Sequence, residues 1–101
     1  MDIFVLGSEE VVVAFAMGGM AGRTVSDRRE ARDALNVDFA AEEIRLLVIE
    51  EQVAEMARDR VEALKLDPKA PLIVEVPGLS GPLEERRTPL EMVRRALGIE
   101  L

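Results

Sequence analysis

The sequence predicts an α/β fold: a small four-stranded parallel sheet with helices on both faces, followed by a C-terminal helical arm. Three observations predict it. Short apolar runs at residues 3–6, 44–49 and 71–76 alternate with stretches of helical periodicity, the mark of βαβ units whose right-handed crossovers cover both faces of a parallel sheet. The middle run, Ile44, Leu46, Leu47, Val48 and Ile49, is nearly continuous in its hydrophobicity, as a strand buried on both faces requires. Finally, Pro77, Gly78, Leu79, Ser80, Gly81 and Pro82 can continue neither a central strand nor a helix, so the chain beyond them is free to leave the sheet.

Taken in order, Ile3, Phe4, Val5 and Leu6 form the first strand, closed by Gly7, and Ser8-Glu9-Glu10 then offers a helix cap with acids in the first turn. The helix Val11 to Met17 ends in Gly18-Gly19, with a second break at Gly22 and room for a very short strand at Thr24-Val25. Ser26-Asp27 caps a second helix, Arg28 to Asn36, which turns Ala31, Ala34 and Leu35 inward. After the middle strand, Glu50 to Leu66 is the longest helical pattern, with Val53, Met56 or Ala57, Val61 and Leu64 on one face, and Asp67-Pro68 ends it. The last strand, Pro71 to Val76, leads into the break. Beyond it Thr88-Pro89 supplies an N-cap with proline at the first helical position, and Leu90, Met92, Val93, Ala96 and Leu97 keep a helical period until Gly98. Ten residues span about 15 Å, too short to be stable alone in water, so this stripe requires a surface to bury against. The expected organisation is a body at 1–77, a linker at 78–87 and the terminal amphipathic helix at 88–101.

A chain of 101 residues has room for one core. No apolar run approaches the ~20 residues of a membrane span, and Met1-Asp2 lacks the basic region of a signal peptide, so a cytoplasmic chain with no direct membrane insertion is expected. Without cysteine or histidine, thiol chemistry, disulfides and the commonest zinc sites are excluded. The net charge of −7 argues against nucleic acid, whose phosphates require a dense Lys/Arg surface. That charge is unevenly placed: from residue 80 onward Glu84, Glu85, Glu91 and Glu100 balance Arg86, Arg87, Arg94 and Arg95, so the excess acid lies entirely before it. A neutral tail on an acidic body fits a tail that meets a different surface, although arginine-bearing helices commonly balance themselves with glutamates.

In open parallel sheets ligands bind at the carboxyl ends of the strands, here Gly7 to Glu10, Glu50-Glu51 and Pro77-Gly78. Glu9, Glu10 and Glu51 there resemble the magnesium-holding carboxylates of response-regulator receivers, but no aspartate ends the 44–49 strand and no lysine follows Val76. The helix macrodipole accounts for the same glutamates at helix starts. Gly18-Gly19-Met20-Ala21-Gly22 follows a helix and lacks the Lys-Ser/Thr ending of a phosphate loop, which reduces it to a C-cap and turn. Ser8, Ser26 and Ser80 have no activating partner. No catalytic, cofactor-binding or metal-binding residues are therefore expected. Met17, Met20 and Met56 are expected to fill core gaps, and Met92 an interface.

The opening strand with Gly7, then Phe15-Ala16-Met17-Gly18-Gly19-Met20, Leu47-Val48-Ile49-Glu50-Glu51, Pro71-Leu72-Ile73-Val74-Glu75-Val76-Pro77 and the close Glu91-Met92-Val93-Arg94-Arg95-Ala96-Leu97-Gly98-Ile99 come one after another in a familiar order. Together they resemble the F subunit of V-type and A-type rotary ATPases, a match that spans nearly the whole chain. The resemblance implies a Rossmann-like, receiver-like body and a non-catalytic role in the central stalk. There the protein couples ATP hydrolysis or synthesis in the A and B hexamer to proton or sodium transport by the membrane rotor, which it reaches indirectly, from a cytoplasmic position peripheral to the membrane. It also implies that the arm packs beside the D subunit, with Leu90, Met92, Val93, Arg94, Arg95 and Leu97 as the interface. Leu90, Val93 and Leu97 make a narrow stripe suited to a neighbouring helix, and Arg94 and Arg95 are placed to pair with acids. The alternative is a small receiver-like regulatory binding module, without a phosphoacceptor, whose terminal helix folds back on its own sheet.

Overall fold

A computed structural model describes residues 2–78; the expected linker beyond Gly78 and the terminal helix lie outside the described residues. The body is α/β. Its elements run β1 (Ile3–Gly7), α1 (Glu9–Ala16), β2 (Ala21–Thr24), α2 (Arg28–Leu35), β3 (Leu46–Glu50), α3 (Glu51–Met56), α4 (Arg58–Leu66) and β4 (Leu72–Val76). The four strands form one parallel sheet in the order β2-β1-β3-β4, with Val5 beside Val48 and Val48 beside Val74.

The sheet separates two apolar layers. Leu6, Leu47 and Ile49 meet Ala31, Ala34 and Leu35 of α2 and Val53, Ala54, Val61 and Leu64 of α3 and α4, all buried. On the other face Val5 and Val48 pack with Val11 of α1, and Ile3, Leu46, Phe15 and Val76 are partly buried around them. The inner strands β1 and β3 are thus apolar on both faces because both are covered. Among the described residues α1 alone supplies helical side chains to the second layer. It lies over β1 and β2, and Leu72 and Val74 of the edge strand β4 stay 69% and 40% exposed.

Local chemistry sets the helix starts. Asp27 at the N-cap of α2 accepts from the Glu30 N–H at 2.8 Å, and the Glu30 carboxylate accepts from the Ser26 N–H at 2.9 Å, a reciprocal cap on two orphan donors. In α1 the Ser8 side chain makes no such bond, because it is engaged elsewhere.

Three expectations are corrected. Gly22 is not a break but the second residue of β2, a strand at Ala21–Thr24 rather than at Thr24-Val25. A Cβ at Gly22 would stand 2.7 Å from the Val5 carbonyl oxygen and 3.1 Å from the Val5 Cβ, so glycine there permits β2 to approach β1. The long helical pattern of 50–66 is two helices, α3 and α4, parted at Ala57, whose φ of −142° and ψ of 49° interrupt the ladder. Ala57 is itself buried, and the apolar face continues through the kink, which is why periodicity alone reads it as one helix. Met17 is 86% exposed at the end of α1, whereas Met20 and Met56 pack against the two layers.

Candidate functional site

At the carboxyl edge of the sheet the organising side chain is Glu50, the last residue of β3. It shares the face of Leu46 and Val48 because side chains alternate along a strand, and it is buried. Its Oε2 accepts from the Ser8 N–H at 2.8 Å, and its Oε1 lies 3.4 Å from the Ser8 hydroxyl. The carboxylate thereby takes up both polar groups of Ser8 and satisfies a buried negative charge where α1 begins. Gly78 approaches from the other side: a Cβ there would meet Glu50 Oε1 at 2.5 Å. Glu50 therefore joins the end of β3, the turn from β1 into α1, and Gly78 just after β4.

Beside it opens a cleft of about 250 Å³ lined by Ser8, Glu9, Thr24, Ser26, Glu50 and Gln52, with Val53 and Met56 behind. Hydroxyls and carboxylates line it, and among the described residues no lysine or arginine does, so these residues offer nothing to neutralise a phosphate. Glu9 and Glu10 are exposed in the first turn of α1, and Glu51 opens α3. Among the described residues no group of three or more acids is placed to hold a metal ion. The glycine turn after α1 leads into β2 rather than into a helix N-terminus, so it cradles nothing.

A second polar cluster braces the α3/α4 side of β4. Arg58, freed by the kink at Ala57, sends one nitrogen to each oxygen of Glu75 at 2.7 Å, and also reaches Glu55 and Glu62. Lys65 adds a contact to Glu75 at 2.6 Å. The Arg58 guanidinium, then Lys65, hold the Glu75 carboxyl down at about 2, and Glu75 in turn keeps Arg58 and Lys65 more firmly protonated. The cluster is a brace between a helix and an edge strand, in which Arg58 and Lys65 are shared among three carboxylates.

The interface residues expected from sequence, Leu90, Met92, Val93, Arg94, Arg95 and Leu97, all lie outside the described residues. Glu50, by contrast, is a residue that sequence reasoning misses when it groups it with Glu51 as the acid of a helix start. Its signal is its phase: it continues the Leu46, Val48 side of an otherwise apolar strand. Among the described residues no helix is long and apolar enough to cross a membrane.

Comparison with known proteins gives a consistent outcome. The family described as ATP synthase (F/14-kDa) subunit matches residues 3–93. The F subunit of the A-type ATP synthase of Thermococcus kodakarensis is 33% identical over 106 residues, covering 100% of this chain and 98% of its own. The corresponding F subunit of Methanocaldococcus jannaschii is 28% identical, covering 100% and 99%, and that of Methanothermobacter thermautotrophicus is 26% identical, covering 99% and 95%.

Proposed function

We propose, from the premise that this chain belongs to the family of the ATP synthase (F/14-kDa) subunit, that it works in the central stalk of a V-type or A-type rotary ATPase. It is a non-catalytic subunit of an ATP synthase complex. In this reading it turns with the rotor and helps to couple ATP synthesis or hydrolysis in the A and B hexamer to proton or sodium movement, from a place peripheral to the membrane. Residues 88–101 form its contact with the D subunit, through Leu90, Met92, Val93, Arg94, Arg95 and Leu97.

The observation that carries the reading is the extent of the match. The family correspondence runs past Gly78 into the terminal segment, as far as residue 93, and the archaeal relatives correspond over almost their full length. The chemistry of the body supports it, since the described lining of the strand-end cleft presents no cation for a phosphate and the Glu50 carboxylate is engaged by Ser8.

Co-expression with the D subunit and then size-exclusion chromatography test the proposal. A stable one-to-one complex that is lost on deleting Thr88 to Leu101 is the expected result. Separate elution of the two full-length chains would overturn the contact with D. Unchanged assembly and turnover of the complex with the deleted chain would overturn the role of the terminal segment.

A further inference from the structure

The loops at the amino edge of the sheet, opposite Glu50, enclose another cleft of about 250 Å³, and one cation in it is used by nothing in the described fold. The cleft lies between the loop after α2 and the loop between α4 and β4, and is lined by Val37, Phe39, Leu64 and Ala70 together with Arg60 and Lys69. The Arg60 Nε is buried and has no hydrogen-bond partner, and the Arg60 side chain has no ion pair among the described residues. Its neighbours in sequence and space are different: Arg32 pairs with Asp59, and Arg58 with Glu75.

Folding alone gives Arg60 no reason to be there. It is the third residue of α4, at the positive end of the helix, where a cation is unfavourable. A buried donor without a partner is also a net cost, and such groups in native proteins call for an explanation. Two acids line the same cleft, but each spends a carboxylate oxygen on its own loop. Asp38 accepts from the Ala41 N–H at 3.1 Å and Asp67 from the Lys69 N–H at 2.9 Å. What remains is a planar guanidinium beside an exposed lysine on an apolar lining. A guanidinium fork matches a carboxylate in two parallel bonds, and the apolar lining matches a side chain next to it. The two aspartates offset the two cations, which suits no polyanion such as a phosphate chain; a single carboxylate matched by the guanidinium fork and the apolar lining is the occupant that fits.

We propose that this cleft receives an aspartate or glutamate of a neighbouring subunit of the rotor, seated beside an apolar residue of the same segment, with the two terminal nitrogens of Arg60, Nη1 and Nη2, as its bidentate partner and Lys69 as the second charge. The inference rests on the stalk reading above and adds to it a contact at the end of the sheet remote from Gly78.

The test uses the full chain and the remaining ATP synthase subunits purified from cells that lack it. Arg60→Met is expected to weaken binding to this depleted complex by at least about tenfold at low salt, with a Tm equal to or above wild type. Arg60→Lys, which keeps the charge and loses the fork, falls between the two, and Lys69→Gln weakens binding a few-fold. Wild-type affinity in Arg60→Met overturns the proposal. If Arg60→Met lowers the Tm, Lys69→Gln decides, because that exposed loop residue leaves folding untouched; wild-type affinity there overturns the proposal equally. A wild-type chain that does not bind the depleted complex sinks the stalk reading and the contact with it, whereas wild-type binding with indifferent variants sinks the contact alone.

Discussion

Glu75 shows what one side chain does in this body. It sits on an edge strand, where a carboxylate facing a helix needs partners, and Arg58 and Lys65 supply them at 2.7 and 2.6 Å. Its pKa is lowered from the ordinary 4.5 to about 2, so it contributes stability that is fully present above about pH 4.5 and is lost as the pH falls toward 2. Glu75→Gln should therefore cost about 1 kcal/mol at neutral pH, a partly exposed network being worth less than a buried one. It should also flatten the loss of stability between pH 4.5 and 2, which urea unfolding at pH 7 and pH 3 measures; parallel losses in both proteins would contradict the assignment. Glu50 answers to a different rule, because its burial makes it a matter of satisfaction more than of charge. Glu50→Ala strands the Ser8 N–H and should cost about 2 kcal/mol in the same assay. Neither pairing is visible in the sequence. A carboxylate's partners depend on which loops the topology brings together: Ser8 and Glu50 are 42 positions apart, and Arg58 and Glu75 are 17. The expected interface residues illustrate the converse, since the helical stripe of Leu90, Val93 and Leu97 is evident in sequence and its partner is not.

Elements are far more legible than contacts, for a physical reason. The strands 3–6 and 44–49 announce themselves because β1 and β3 are apolar on both covered faces, and 71–76 because an apolar, β-branched run stands between two prolines, although β4 is an edge strand; the structure places all three within two residues of those bounds. The start of α2 is equally local: Asp27 and Glu30 carry its cap by themselves. Asp27→Ala should cost about 1 kcal/mol, read from the shift in thermal unfolding. Two elements escape. β2 is a short edge strand of Ala21, Gly22, Arg23 and Thr24, half exposed and without an apolar run, and only its pairing with β1 makes it a strand. The kink at Ala57 has no proline or glycine to announce it, and it brings Arg58 to Glu75, a tertiary contact no window of sequence contains. The β2 packing yields a sharp comparison. Gly22→Ala drives a methyl into the Val5 backbone and should cost about 2 kcal/mol. Gly18→Ala, whose Cβ would stand 3.4 Å from the nearest atom, the Phe15 carbonyl oxygen, should be close to neutral. Equal effects would show that β2 is not held at this distance from β1.

At the scale of the molecule the two faces of the sheet are unequal. Among the described residues α2, α3 and α4 cover one face and reach Ile73 of β4, whereas α1 covers the other only over β1 and β2. Leu72 and Val74, at 69% and 40% exposure, are not part of what holds the body together. Among the described residues the buried apolar core lies between Val5 and Leu64, and the polar ties described above lie between Ser8 and Glu75. In the rotor reading residues 88–101 are kept for a partner, and the body's stability is expected to be independent of them. Deleting Thr88 to Leu101 should shift the Tm of the isolated chain by less than about 4 °C, the equivalent of under about 1 kcal/mol for a domain of this size. It should abolish co-elution with the D subunit at the same time. A fall of about 10 °C or more would mean that the segment belongs to the body's own sheet, the arrangement of a self-contained regulatory module, and a retained Tm with lost co-elution separates the rotor reading from it in one pair of measurements.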